Sequence, residues 1–272
     1  MIMVKKIKKI KGKTEKRKKG KHKGLIVSLV IILILIITIM GICYNLKQNY
    51  SNEIFGLVIG SGNLISETRE ISYFDKVELK YIGNIYVTQG ETNTLRIEAE
   101  DNILSLLSTE VVDNELVINK ERYTLTWIIK NKPINIYVTM KDVNELVVLG
   151  SGNIISNSLI ETDVLKLKIS GSGNINVNTN TDYLETGISG SGRITVNGIA
   201  NTHNLYISGS GDVDALDLFT NNTNVMISGS GDAKVNAIDE LNIKISGSGN
   251  LQYTGDPKVS TNISGSGTVK GI

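Results

Sequence analysis

The tripeptide Gly-Ser-Gly begins at Gly150, Gly171, Gly190, Gly209, Gly229, Gly247 and Gly265, at spacings of 21, 19, 19, 20, 18 and 18 residues. An eighth copy stands alone at Gly60. A fixed period of this length marks a repeat architecture, in which each repeat is one structural unit stacked on the next. The flanking residues say which unit it is. Leu165, Leu167 and Ile169 alternate with Lys166, Lys168 and Ser170, the two-residue period of a strand with one buried face.

A six-residue step across the tripeptide, Ile169 to Ile175, recurs as Ile188 to Ile194, Ile207 to Val213, Ile227 to Ala233, Ile245 to Leu251 and Ile263 to Val269. Six is even, so inward parity survives the tripeptide: both glycines fall inward and the serine outward. This predicts a corner where the interior has no room for a Cβ and where glycine supplies the backbone angles of the bend. So short a repeat cannot hold a strand and a sizeable helix, and none has helical spacing. The expected fold is all-β, a single-stranded parallel β-solenoid (β-helix) of 18–21 residues per coil. Its coils should lie about 4.8 Å apart.

Sixteen of the 27 glycines lie in the eight tripeptides, so the glycine content is architectural and not a sign of disorder. The formal charge of +2 conceals an asymmetry. Residues 1–24 carry twelve Lys or Arg against Glu15 alone, which leaves 17 basic and 26 acidic residues, a net −9, in the remainder. Leu25 to Tyr44 is twenty residues without a charge, the length that crosses a bilayer as a helix. A removable signal peptide has a shorter apolar core followed by a small-x-small cleavage site. Here Asn45-Leu46-Lys47-Gln48 follows, so the segment reads as an uncleaved signal anchor, a single transmembrane α-helix. The lysines before it keep the N-terminus in the cytoplasm and put Asn45 onward outside. That role accounts for the basic tail without nucleic acid. Cys43 is the only cysteine, so no intrachain disulfide can form. The residue before it, Ile42, is not the small one that lipid attachment needs, so Cys43 reads as part of the anchor.

The expected organisation is therefore a basic cytoplasmic tail (1–24), a transmembrane helix (25–44), a tether and lead-in (45–69) and a β-solenoid (70–272). The solenoid is irregular over 70–145 and regular from 146. In the irregular part, Lys76 to Leu79, Leu95 to Ala99 and Leu116 to Ile118 read as half-buried strands, and Ile103 to Leu107 as a helical turn. Lys120 to Lys132, which carries Trp127, reads as a loop or hairpin projecting from the solenoid.

Phe74-Asp75-Lys76-Val77, then Gly83-Asn84-Ile85-Tyr86-Val87-Thr88-Gln89-Gly90, Leu95-Arg96-Ile97-Glu98-Ala99-Glu100-Asp101-Asn102, Leu116-Val117-Ile118 and the string of Gly-Ser-Gly coils follow one another in order. In that order, over residues 70 to 270, the chain resembles the head GIN domain family of auto-transporter adhesins. The resemblance implies a β-solenoid with a surface or adhesive role and carries over no catalytic residues. The sequence stops at Lys270-Gly271-Ile272 without a barrel or terminal aromatic, so the auto-transport mechanism is not expected of it.

Nucleophilic catalysis needs a base beside the nucleophile. His22 lies in the basic tail, and His203 has no partner that the sequence identifies. Gly187-Ile188-Ser189-Gly190-Ser191 fails the Gly-x-Ser-x-Gly pattern at its last position, and no repeat completes a phosphate-binding glycine loop. Zinc lacks clustered Cys and His. Asp212 and Asp232 take equivalent places in adjacent coils, but the same place elsewhere holds Asn153, Asn174, Arg193, Asn250 and Thr268. That mixture fits turn-forming preference better than calcium ligands. No metal or cofactor is expected, and no catalytic residue is assigned. The outward residues Asn174, Asp212, Asp232 and Asn250 are the candidate partner-binding set.

The expected function is a membrane-anchored, extracytoplasmic, non-catalytic binding or adhesion module at a bacterial cell envelope, facing an envelope polymer, glycan or surface protein. An envelope-sensing regulator signalling through the basic tail is the alternative, and a glycan-active β-helix enzyme a third. The repeat still runs at the last residues, with Ile263 and Val269 in inward places, so weak end-to-end or antiparallel self-association through the C-terminal coil is also expected.

Overall fold

The computed structural model describes residues 35–38, 55–121, 125–130 and 132–272. The basic tail, the polar tether after Tyr44 and nearly all of the expected transmembrane segment lie outside these residues. Of that segment only Leu35–Thr38 is described, and it is helical. Among the described residues no helix is long and apolar enough to cross a membrane.

Leu57–Ile272 forms one compact unit, a parallel β-solenoid of about seven turns. Five long strands build its regular part: β11 (Asn153–Ile169), β12 (Asn174–Ile188), β13 (Arg193–Ile207), β14 (Asp212–Ile227) and β15 (Ala233–Ile245). Each pairs in parallel with the next, and each is interrupted before the next by one Gly-Ser-Gly corner. The N-terminal halves extend a first wall, which continues through β16 (Asn250–Thr254) and β18 (Thr268–Gly271). The C-terminal halves extend a second wall, which continues through β17 (Lys258–Ile263).

The parity predicted across the tripeptide holds. Ile169, Ile175, Ile188, Ile194, Ile207, Val213, Ile227, Ala233, Ile245 and Leu251 are all at most 2% exposed. They stack into two apolar files, one per wall, because equal positions of successive coils are in register. Ile263 and Val269 hold the same register places, but Ile263 is 43% exposed and Val269 partly buried, since no further coil among the described residues lies over them.

The corner glycines are required for a different reason from the one parity alone offers. Among the coil corners only Gly265 has a left-handed φ, so special backbone angles are not the constraint. Close stacking is. A Cβ on Gly209 would lie 2.2 Å from the Gly190 carbonyl oxygen, and one on Gly211 would lie 2.4 Å from the Gly192 carbonyl and 2.6 Å from Ile188 Cγ2. Corner N–H groups donate across this gap: Ser210 to Gly190 at 3.1 Å and Asp212 to Gly192 at 3.1 Å.

The N-terminal end departs from a pure parallel coil. β3 (Lys76–Leu79), β4 (Asn84–Gln89) and β10 (Glu145–Val148) carry the two walls in parallel to β11. Beyond them, β5 (Thr94–Glu100) pairs antiparallel with β9 (Asn135–Met140) and with β2 (Leu64–Arg69), closing the first wall. On the second wall β6 (Leu107–Val112) pairs antiparallel with β7 (Glu115–Lys120). Asp113 and Asn114 have φ of 51° and 61°, the two positive values that a two-residue hairpin turn needs. The helical turn spans Asp101–Leu104, slightly earlier than the sequence reading, and Leu107 already belongs to β6. Within the expected projecting loop, β8 (Leu125–Lys130) pairs with β1 (Phe55–Ile59) in a separate two-stranded sheet.

The solitary tripeptide at Gly60 is not a coil corner but a clamp. The Gly62 N–H donates to Glu100 Oε1 at 2.7 Å and the Lys132 N–H to Oε2 at 2.9 Å. Ser61 N–H donates to Asn102 Oδ1 at 3.0 Å, and Asn63 Nδ2 to Asp101 Oδ2 at 3.0 Å. Hydrogen bonds from Ser61 and then Asn63 hold the Asp101 carboxyl below its usual range. Glu100 is 3% exposed, and a carboxylate so buried must be hydrogen-bonded.

Two outcomes are expected. Gly209→Val should cost several kcal/mol through the backbone clash, while Ser210→Ala, on an exposed side chain, should cost under about 0.5 kcal/mol; chemical denaturation of both checks this. Glu100→Ala should cost about 1–3 kcal/mol by stranding the donors of the clamp. Limited proteolysis should then cut first at Gly60 to Asn63, with the coils left intact.

Candidate functional site

Outward side chains of the first wall form one file along the solenoid. Asn135, Asn84, Asn153, Asn174, Arg193 and Asp212 are successive register partners. Asp232, Asn250 and Thr268 continue it. All four candidate residues therefore lie in this file, and the structure brings them together as neighbours along it. Their polar atoms are turned on one another. Asn174 Nδ2 donates to Asn153 Oδ1 at 2.8 Å, and Asn153 Nδ2 to Asn84 Oδ1 at 2.8 Å. Arg193 Nη2 meets Asp212 Oδ2 at 2.9 Å, Asn250 Nδ2 meets Asp232 Oδ1 at 2.9 Å, and Thr268 Oγ1 donates to Asn250 Oδ1 at 2.7 Å. The Asp212 and Asp232 carboxylates thus face donors of their own file. Among the described residues, no group of three or more His, Cys, Asp or Glu is placed to hold a metal ion.

Beside this file, at the N-terminal end of the wall, Tyr86 and Tyr137 stack with centroids 5.2 Å apart, and the Arg96 guanidinium lies 4.0 Å from the Tyr137 centroid. Both faces of Tyr137 are therefore covered. Burial, then the hydrogen bond to Glu98, pushes its hydroxyl above the usual range.

The second wall carries a file of different character: Lys168, Gly187, Tyr206, Met226 and Lys244 in successive coils. Tyr206 is 43% exposed. Two depressions flank it. One, of about 280 Å³, lies over Gly187 and is rimmed by Lys168, Glu185, Ser189 and Ser208. The other, of about 230 Å³, is lined by Asn224, Met226, Asn242 and Lys244. Lys168 Nζ sits 2.9 Å from Glu145 and 3.8 Å from Glu185, and the hydrogen bond to Glu145 holds its ammonium above the usual range. A larger cleft of about 630 Å³, where irregular and regular coils meet, is lined by both signs of charge, Asp142, Glu145 and Glu161 against Lys76 and Lys166.

His203 faces the interior and is fully buried. Its Nε2 lies 2.9 Å from Thr186 Oγ1, while Nδ1 is buried without a partner. Burial pushes the imidazole down to about 3, so the folded solenoid holds it neutral. Fully buried with Thr186 as its hydrogen-bond partner, it is shielded from solvent.

The family model for "Putative auto-transporter adhesin, head GIN domain" matches residues 73–257. The chain belongs to the head GIN domain family. Among solved structures, a "putative adhesin" from Bacteroides fragilis is 27% identical with a TM-score of 0.74, covering 79% of this chain and 100% of its own. A "putative adhesin" from Parabacteroides merdae is 25% identical with a TM-score of 0.65, covering 79% and 99%. A "putative lipid binding protein" from Parabacteroides distasonis, 24% identical with a TM-score of 0.66 and covering 79% and 99%, shares the fold. No curated protein matches the chain.

The GIN head domain's outward files include residues that sequence reasoning passed over. Tyr206 and Gly187 occupy outward parity in plain alternation, and a glycine outside the tripeptides at such a place was the available signal. The Thr186–His203 pair had none, because its partners lie 17 residues apart in successive coils.

The buried imidazole sets a pH window. The unfolded chain protonates His203 below about 6.5 while the folded chain excludes the charge, so its contribution is full above 6.5 and is lost as pH falls toward 3. The unfolding free energy from denaturant titration should therefore drop by about 2 kcal/mol between pH 7.5 and pH 5. His203→Leu should flatten most of that loss. An equally steep decline in the variant would move the cause elsewhere.

Proposed function

We propose that this GIN head domain is a non-catalytic binding module, displayed outside a bacterial cell by the uncleaved segment Leu25 to Tyr44 with residues 1–24 inside. One observation carries this reading. The outward side chains recur in register files along both walls, the second interrupted at Gly187, while the inward ones and the corner glycines are consumed by packing. Such a surface repeats weak contacts at the coil spacing, which suits a polymer or an extended partner surface better than it suits a single small substrate. Relatives of the same fold that are named adhesins support it. A family with no carried-over catalytic residue and a histidine sealed in the core agree with binding without turnover. The uncharged twenty-residue segment after a basic tail supports the anchoring.

Full-length protein made in a non-adherent bacterial host should raise attachment to envelope preparations several-fold over a variant lacking residues 55–272. Deleting residues 1–20 should leave attachment unchanged if the protein still inserts. Protease added to intact, wall-stripped cells should digest the solenoid and spare the tail. A shortened, secreted product beginning after Tyr44 would sink the anchoring, and attachment equal to the deletion variant would sink the binding role.

A further inference from the structure

Among the glycines of the coils, Gly187 is the one the fold does not need. The corner glycines face backbone carbonyls, and a Cβ on Gly198 or Gly255 would lie 2.0 Å from a carbonyl oxygen at a left-handed φ. Gly187 has no left-handed φ, and a Cβ there would meet only Lys168 Cγ, at 3.9 Å. A glycine inside a strand weakens it relative to alanine. Neither a turn nor a close approach of the chain to itself offsets that loss. Its effect is to remove one rung from an outward file, between Lys168 and Tyr206.

We propose that the notch over Gly187 is a saccharide-binding subsite, with Tyr206 as its stacking platform and Glu185, Lys168, Ser189 and Ser208 as hydrogen-bonding rim. The inference rests on the binding-module reading above and names its ligand class and place. Rungs repeat at about 4.8 Å, so the missing one leaves about 9.6 Å between Lys168 and Tyr206, room for one ring-shaped group. Tyr206, unlike Tyr137, has no stacked ring or cation over it among the described residues. A tyrosine offers an apolar ring beside a polar tip, which matches a pyranose, apolar across its C–H face and polar at its edge. Lys168 has Glu145 as its near partner at 2.9 Å, so Glu185, at 3.8 Å, retains acceptor capacity. The Ser189 and Ser208 hydroxyls make no side-chain hydrogen bond among the described residues and are exposed. A purely apolar ligand would strand these polar groups, and an anionic one would meet Glu185 and Glu145.

The second depression extends the site along the axis. Its amides Asn224 and Asn242 continue a chain from Asn204, Asn224 Nδ2 donating to Asn204 Oδ1 at 2.8 Å and Asn242 Nδ2 to Asn224 Oδ1 at 3.1 Å. Lys168 to Lys244 spans four rungs, about 19 Å, so a short linear oligosaccharide of neutral pyranoses lies along the wall with Tyr206 near its middle.

The test measures binding of the full-length chain to immobilised cellohexaose, mannohexaose and chitohexaose. Wild type should bind at least one of them. Gly187→Val, which fills the notch at a place with space for it, should lower binding tenfold or more without lowering the unfolding temperature. Tyr206→Ala should lower it similarly, and Tyr86→Ala, on the other wall, should not. Unchanged binding by folded Gly187→Val overturns the site while leaving the binding module standing. Wild type that binds none of the three overturns the saccharide assignment, and the attachment assay then decides separately whether the module binds anything. Should Tyr206→Ala fail to fold, Gly187→Val alone decides.

Discussion

The contact between corner glycines of successive coils is the constraint on which the rest depends. The carbonyl of each corner glycine stands about 2 Å from where the Cβ of the equivalent residue in the next coil would be, for most corners. Only a residue without that atom lets the corners approach to hydrogen-bonding distance, as Ser191 does to Gly171 and Arg193 to Gly173. Once the corners are that close, both walls are brought to strand-pairing distance along their whole length, and equal positions fall in register. The apolar files inside and the polar files outside are two results of one backbone spacing.

The regular coils were legible because their period, parity and packing all coincide. Six residues from Ile169 to Ile175 across a tripeptide is enough to fix which side chains face in. The polar file was legible too, since equivalence between repeats placed Asn174, Asp212, Asp232 and Asn250 together before any coordinates. What equivalence could not tell is that these side chains spend their donors and acceptors on one another. The N-terminal end was less legible. Its strands have the same alternation as the coils, and alternation alone does not distinguish parallel from antiparallel pairing; the Asp113-Asn114 turn does, through two positive φ values that many other dipeptides can avoid. The clamp around Glu100 escaped for a related reason: its tripeptide looks like a corner, and only a buried carboxylate 38 residues away makes it something else.

The two walls therefore differ in what they leave available. On the first, a continuous chain of amides and an Arg–Asp pair stiffen the outward surface, and Tyr86, Tyr137 and Arg96 cover one another's faces. On the second, the sequence of side chains is broken at Gly187, and Tyr206 stands uncovered beside the break. In a solenoid an absent side chain has the standing that a loop has in other folds, because the lattice around it supplies the walls of a pocket at no cost in backbone order.

Each corner packs against and hydrogen-bonds to its neighbouring coils alone, chiefly corner to corner. A whole coil could therefore be inserted or deleted with every remaining contact re-formed by its new neighbours, and the reach of the rod would change by one spacing. Coil-specific pairs limit that freedom: Thr186 with His203, Arg193 with Asp212, Asn242 with Asn224 and Asn250 with Asp232. Length in this architecture is a quantity that duplication can adjust.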